Sequence, residues 1–159
     1  MTERGSRDAI QIRTRRSIGA RTLVNDLVSG IDFSREILIT AELGLGDTSL
    51  IEGNNGLDAM AVWHSAPLAD SRTRDEVRVL KLAARDDAAF DAAISAVEAA
   101  AAKAGIRRIA VRCQSRYAEA FRRLIARGYR VRWTDLRMTY EGYPERQAKQ
   151  GVLFSNWEI

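Results

Sequence analysis

A candidate anion-binding turn stands where a strand-like stretch runs into a helix-like stretch. It reads Arg85, Asp86, Asp87, Ala88, Ala89 and Phe90. Backbone N–H groups at the start of a helix bind phosphates, and an arginine beside them can add a bidentate contact. Acidic residues in a first turn instead cap those same N–H groups and stabilise the helix. The turn is therefore either a phosphate site or a helix cap.

Two side chains are candidate general bases. Glu76 opens a strand-like stretch, and His64, the only histidine, lies near the end of an earlier one. Imidazole and carboxylate groups are common general bases. Each residue also has a structural interpretation, since Glu76 could be a solvated strand end and His64 a packed neighbour of Trp63.

The sequence predicts neither a metal site nor a disulfide. Cys113 is the only cysteine, and with a single histidine no cluster has the spacing of a zinc site. Cys113 stands in the alternating stretch RIAVRCQ, which favours a buried structural thiol over a nucleophile.

The composition is that of a globular protein, with 46% hydrophobic and 29% charged residues. No run reaches the roughly 18 apolar residues of a membrane span, and the charged N-terminus has no apolar core of a signal peptide. We therefore expect a cytoplasmic protein. The net charge of +4 suits anionic partners. Because the arginines are scattered and no RNA-binding motif accompanies them, nucleic-acid binding is not the favoured role.

Alternating apolar residues predict a sheet. Two apolar runs flank Gly53-Asn54-Asn55-Gly56, a typical hairpin turn, so residues 48–66 are predicted to form a β-hairpin. Further strands are predicted at 10–17, 76–84, 106–114, 129–140 and 151–159, after a disordered lead at 1–8.

Helical spacing predicts four helices. Two short ones are separated by a break near Gly30, with Asp32 or Ser34 as a cap for the second. The third carries an apolar stripe of Phe90, Ile94, Val97 and Ala101 and ends at Gly105. The fourth carries a stripe of Tyr117, Ala120, Phe121, Leu124 and Ile125, of which the last three are predicted to lie in the core, and it ends at Gly128. This order predicts a single α/β or α+β domain, one sheet covered by helices.

The element order resembles that of the GNAT superfamily of acyl-CoA-dependent N-acetyltransferases. The likeness covers residues 48–140 best and is closest to the C-terminal half of tandem GNAT proteins. The matching parts are the hairpin, the strand leading into a helix, and the helix ends at Ala101 to Gly105 and Ala120 to Tyr129. The resemblance implies one GNAT-like domain over residues 1–159, with a mixed, mainly antiparallel sheet of about seven strands and about four helices.

The resemblance implies an acetyl-CoA site at the candidate turn. GNAT proteins hold the CoA pyrophosphate with a [QR]-x-x-G-x-[GA] turn, which here aligns with residues 85–90. The implied cofactor-binding residues are Arg85, Asp87, Ala88, Ala89 and Phe90, together with Leu80 and Leu82 on the preceding strand edge. The chain departs from this motif in three ways: Ala88 replaces the required glycine, which is a small change, Phe90 occupies the second small position, and Asp86 and Asp87 bring negative charge.

The resemblance also implies a reaction, the direct attack of an amine on the acetyl-CoA thioester. Glu76 or His64 would take the proton of the ammonium group, and a backbone N–H of the strand at 76–84 would stabilise the oxyanion. Leu124 stands where the family's acid tyrosine is expected, so Tyr117 is the candidate that protonates the leaving thiolate. Its place on the apolar stripe equally fits a packed core tyrosine.

Three classes of function stay open at this point. The first is an N-acetyltransferase that acts on an amine of an unidentified small molecule or protein. The second is a catalytically inactive GNAT-fold module for binding or dimerisation, and the third is a small basic protein that binds nucleic acid or another polyanion. A homodimer could form through Val152, Phe154 and Trp157 of the last strand.

Overall fold

A computed structural model describes residues 17–67, 75–136 and 138–155 of the chain. These residues form four helices and a five-stranded sheet, which confirms the predicted mixed α and β class. The helices are α1 (17–27), α2 (Ser34–Glu42), α3 (Asp87–Lys103) and α4 (Ala118–Ala126). The strands are β1 (Gly46–Gly53), β2 (Gly56–His64), β3 (Glu76–Ala84), β4 (Arg108–Val111) and β5 (Val152–Ser155). Among the described residues, no helix is long and apolar enough to cross a membrane.

The sheet is antiparallel except for one pair of strands. The hairpin β1–β2 lies beside β3, as predicted. Strand β4 runs parallel to β3, and α3 forms the crossover between them, which is the connection that two parallel strands require. Strand β5 pairs antiparallel with β3, so β3 is the centre of the sheet.

Two apolar clusters cover the two faces of the sheet. Strand alternation directs Ala59 and Ala61 of β2 towards α3, and Met60 and Val62 towards α1 and α2. The predicted stripe of α3 is confirmed, since its large apolar residues are buried: Phe90, Ile94 and Val97. The two layers of helix hold the sheet between them.

Helices α1 and α2 meet at the break that the sequence predicts. Gly30 has a φ of 80°, a left-handed conformation that suits glycine. Two residues further on, Asp32 Oδ1 accepts hydrogen bonds from Ser34, from its backbone N–H at 2.8 Å and from its hydroxyl at 2.6 Å. Asp32 therefore fixes the entry into α2, although the residue that directly precedes the helix is Phe33.

Helix α4 buries a narrower stripe than the sequence predicts. Ala120 and Leu124 are buried, but Phe121 and Ile125 are 39% and 44% exposed, so their assignment to the core was wrong. The next residue position on this nine-residue helix is polar: the Arg123 guanidinium binds the carboxylate of Asp91 on α3 at 2.6 Å. The contact between α4 and α3 therefore includes an ion pair as well as apolar side chains.

Two predicted strands are not among the five. The first, at 10–17, lies outside the described residues together with the lead at 1–8, except for Ser17, which is helical. The strand predicted at 129–140 was wrong, because its described residues form neither helix nor strand. Apolar and polar residues alternate in this segment, but its large apolar side chains are not buried against the domain. Those that remain exposed are Val131, Trp133, Leu136, Met138 and Tyr140.

Candidate functional site

Strand β3 changes its neighbour at Leu80. Its register with β2 passes from Val79 opposite Trp63 to Lys81 opposite Val62, so Leu80 is the extra residue of a bulge. On the other edge of β3, pairing with β4 ends at Val79, and pairing with β5 begins at Lys81. The bulge thus marks the point where β4 diverges from β3 and another strand takes its place.

The edge of β3 that the resemblance assigns to acyl-CoA is paired with β5. Leu82, a predicted cofactor-binding residue, is fully buried and lies opposite Phe154, while Leu80 is half-buried. The Phe154 ring packs against Phe90 of α3 with 5.9 Å between ring centroids, and against Tyr117 with 5.7 Å. The Phe154 ring of β5 therefore fills the space beside the first turn of α3 and the residue that precedes α4.

Gly151 brings the chain into β5 through a close backbone contact. Its φ is 74°, and a Cβ atom there would lie 2.3 Å from the carbonyl oxygen of Ala84 and 2.8 Å from that of Arg85. Only a residue without a side chain fits so close to another backbone. The candidate turn is thus covered on one side by the chain's own backbone.

The candidate turn is an aspartate-capped helix start. Asp86 Oδ1 accepts a hydrogen bond from the N–H of Ala89 at 2.8 Å, and the Asp86 carbonyl accepts one from the N–H of Phe90. Asp87 lies 3.3 Å from the guanidinium of Arg123. Of the predicted phosphate-site residues, Ala88 is exposed, whereas Ala89 and Phe90 are buried. The cap therefore uses N–H groups that a phosphate would need.

Arg85 is directed towards the hairpin and α1. Its Nε donates to the carbonyl oxygen of Leu57 at 3.0 Å, and its Nη2 binds Asp26 at 2.7 Å. Its backbone N–H donates to the carbonyl of Asp58. These contacts tie α1, β2 and β3 together and give the arginine a structural role in this arrangement.

His64 faces α2 in a partly buried polar contact. By alternation it lies on the same face of the sheet as Val62, and its Nε2 is 2.8 Å from the hydroxyl oxygen of Thr40, which is buried. Burial lowers the pKa of His64, and the neighbouring Arg78 guanidinium lowers it further. The imidazole is therefore neutral at pH 7, the form that can accept a proton.

The three predicted catalytic residues do not come together. Glu76 lies on the same face as Arg78 and binds the guanidinium of Arg132 at 3.1 Å, at the start of β3. Tyr117 lies on the opposite side of the sheet, because it packs against the apolar cluster between the sheet and α3. His64 and Glu76 therefore share a face, and Tyr117 is separated from both by the sheet.

A buried lysine was missed by sequence reasoning. Lys81 is only 7% exposed; its ammonium group lies 3.7 Å from the Glu36 carboxylate and 5.2 Å from the ring centroid of Phe33. The bulge at Leu80 turns Lys81 towards α2. The signal was present in the stretch EVRVLKLAA, where the interval between apolar residues changes from two to one at Val79 and Leu80.

Cys113 has the properties of a structural thiol. It packs against the cluster between the sheet and α3, and burial raises its pKa to about 11. In the described ranges no group of His, Cys, Asp and Glu side chains could hold a metal ion.

Solved structures share this fold. TTHA1254 from Thermus thermophilus is similar with a TM-score of 0.57 at 20% identity as a point mutant, and 0.56 at 19% as the wild type. Each match covers 76% of this chain and 89% of that chain. A tetramutant of BH1408 from Bacillus halodurans has a TM-score of 0.55 at 12% identity, covering 70% of this chain and 76% of its own. No protein family and no curated protein matches the chain in sequence.

Proposed function

We propose that this chain is a single GNAT-like domain that works as a binding or dimerisation module, because its own C-terminal strand closes the edge that would receive acyl-CoA. The carrying observation is the pairing of β5 with β3 from Lys81–Ser155 to Ala84–Val152. A pantetheine arm and a β-strand use the same backbone N–H and C=O groups of a strand edge, so they exclude each other.

The burial of β5 supports a permanent closure. Val152, Leu153 and Phe154 are all nearly inaccessible, with Leu153 on the α1 and α2 side and the other two on the α3 side. Removing each from its cluster would cost about 1.5–3 kcal/mol in transfer free energy. A cofactor that displaces β5 must offset the transfer free energies of all three side chains before it can bind with any net affinity.

The contacts of the turn support the same proposal. The Asp86 carboxylate already accepts a hydrogen bond from the Ala89 N–H. The Arg85 guanidinium already donates to the Leu57 carbonyl and binds Asp26. A diphosphate would meet the negative charges of Asp86 and Asp87 without the arginine that should neutralise it. Binding would therefore require rearrangement of the turn as well as of β5.

The test is calorimetry and thermal unfolding of the full chain with acetyl-CoA. We expect no heat of binding and no rise in melting temperature up to about 1 mM acetyl-CoA, since a ligand of the folded state must stabilise it. ADP at equal concentration and ionic strength is the matched control for non-specific attraction to a chain of charge +4. Stabilisation by acetyl-CoA beyond that of ADP would overturn the proposal.

A second candidate function is the N-acetyltransferase, favoured by the bulge at Leu80 and the divergence of β4 from β3. In this reaction the amine nitrogen bonds to the acetyl carbon as the C–S bond breaks. Neutral His64 or Glu76 takes the ammonium proton, and the thiolate takes up the proton that the attacking nitrogen loses. Tyr117 cannot act together with either base in this arrangement, because the sheet separates it from both. Acetyl-CoA would have to displace β5 first.

Release of free CoA thiol from acetyl-CoA, measured with a panel of primary amines and a lysine peptide, tests this candidate. If this alternative holds, the double variant Asp86→Asn with Phe154→Ala should release more CoA than the parent, provided that it remains folded. The first change removes the negative charge of the helix cap, and the second weakens the packing of β5 over the β3 edge. A folded variant that neither binds acetyl-CoA nor releases CoA would exclude the acetyltransferase and support the closed module.

A further inference from the structure

The segment between α4 and β5, residues 127–151, is called the connector below. Its described residues contain neither helix nor strand, and connections of this length in a compact domain are uncommon unless they serve a function. Large apolar side chains on it are 51% to 88% exposed: Val131, Trp133, Leu136, Met138, Tyr140 and Tyr143. Such a concentration of exposed apolar side chains on one segment is typical of an interaction surface.

Polar contacts fix the connector along its own domain while these side chains stay outside. Arg132 binds Glu76 at 3.1 Å near the start of β4, and Asp135 lies 3.8 Å from Arg112 just beyond its end. Further along, Glu145 binds Arg116 at 2.5 Å. The exposed apolar groups are therefore held in place beside β4, whose outer edge pairs with no other strand among the described residues.

The exposed apolar area of the connector is close to that of a standard interface. An aromatic side chain buries roughly 150–250 Å² on full burial, so the exposed parts of Trp133, Tyr140 and Tyr143 amount to roughly 400 Å². Val131, Leu136 and Met138 add a similar area. The sum approaches the roughly 800 Å² that each partner contributes to a standard interface.

We infer that this surface docks a second copy of the same chain, with residues 131–136 of the two copies antiparallel about a two-fold axis. The charge pattern selects this partner. An axis between Trp133 and Thr134 places Arg132 of each copy opposite Asp135 of the other, and Val131 opposite Leu136. Arg132 and Asp135 each hold a partner within their own chain, but their side chains stay 65% and 60% exposed, so each can also contact the other copy. The segment is thus complementary to itself in both charge and apolar contact. This interface rests on the proposed function, because it names the partner of the dimerisation module, but it does not depend on whether β5 excludes acetyl-CoA.

Sedimentation equilibrium of the full chain, over concentrations up to about 1 mM, tests the inference. We expect twice the mass of one chain at high concentration. Asp135→Arg places like charges opposite each other, as does Arg132→Asp, and each should raise the dissociation constant about tenfold or more. Mixing the Arg132→Asp chain with the Asp135→Arg chain places opposite charges at both positions across the axis and should restore the dimer. The contacts within each chain are the same in the mixture as in the single variants, so only the pairing between chains changes.

Arg112→Gln is the matched control, because it removes the partner of Asp135 within one chain without changing the pairing across the axis. Phe121→Ser is the control for Trp133→Ser, since Phe121 is an exposed aromatic residue outside the connector. Arg112→Gln and Phe121→Ser should leave the dimer intact, and Trp133→Ser should weaken it. A single-chain mass of the parent at every concentration would overturn the inference, as would a mixture of the two charge variants that stays at the mass of one chain.

Discussion

The Phe154 ring meets the Phe90 ring edge-on, with 5.9 Å between centroids and an interplanar angle of 77°. Phe90 stands at the second small position of the motif that the resemblance aligns with residues 85–90, and Phe154 belongs to β5. The bulky residue in the turn and the strand that closes the edge are therefore parts of one packing arrangement. An edge-on pair of this kind contributes about 0.5–1.5 kcal/mol beyond the area that it buries.

Replacement of Phe154 by alanine should lower the free energy of unfolding by about 3–5 kcal/mol, because it leaves a cavity between β3 and α3. Urea unfolding followed by tryptophan fluorescence measures this loss. Phe121→Ala is the matched control, since Phe121 is 39% exposed and its removal leaves a smaller cavity. Equal losses for the two variants would contradict the placement of β5.

The sheet was largely predictable from sequence because its patterns are local. The hairpin turn, the alternation of β3 and β4, and the stripe of α3 each appear within a few residues, and their order implied the parallel pair. The pairing of β5 with β3 was not predictable, since Gly151 meets Ala84 across a large separation in the chain. The false strand at 129–140 shows the same limit, because alternation cannot reveal whether a partner strand exists.

Leu124→Ala should destabilise the domain by about 2–5 kcal/mol, whereas Ile125→Ala should cost much less. The two residues are adjacent on α4 and similar in size, but Leu124 is buried and Ile125 is 44% exposed. Thermal unfolding of both variants gives the comparison. A larger loss for Ile125→Ala would place the opposite side of α4 against the core.

Gly151→Ala should destabilise the domain more than Gly142→Ala. Both glycines have positive φ, at 74° and 81°, so alanine is strained at either position. Only at Gly151 would the new Cβ also collide with backbone, whereas at Gly142 nothing lies within 4 Å. The difference between the denaturant midpoints of the two variants measures the collision, because the strain of positive φ is common to both. Equal midpoints would argue against the contact between Gly151 and Ala84.

Loss of the cap at the candidate turn should have a moderate effect. Asp86→Ala removes the acceptor for the Ala89 N–H and should cost about 0.5–2 kcal/mol of stability. Asp86→Asn retains a side-chain oxygen at the same place and should cost less. If acetyl-CoA binding is measured in parallel, a gain in affinity for Asp86→Asn would indicate that the turn retains a phosphate site.

The site was less predictable than the fold because its residues act through contacts between distant elements. Arg85 follows the end of β3, as the predicted strand at 76–84 implies, but the direction of its side chain depends on Asp26 in α1 and Leu57 in β2. The contact between His64 and Thr40 also joins two elements with no common motif. Residue types and spacing identified the candidates, and only the packing decided which groups they touch.

Stability should fall on mild acidification because of His64. Its pKa in the folded chain is lowered, chiefly by burial, while the unfolded chain has the ordinary value near 6.5. Above that value both states are neutral at this residue, and the full stability is present. As the pH drops below about 6.5, the unfolded state binds a proton that the folded state does not, so stability is lost until the pH reaches the lower folded value.

Urea unfolding from pH 7.5 to 5 measures how the free energy of unfolding changes with pH, and His64→Gln is the comparison because the chain has no other histidine. We expect the variant to lose this part of the pH dependence, whereas parallel curves for the two proteins would show that His64 is not shielded by α2.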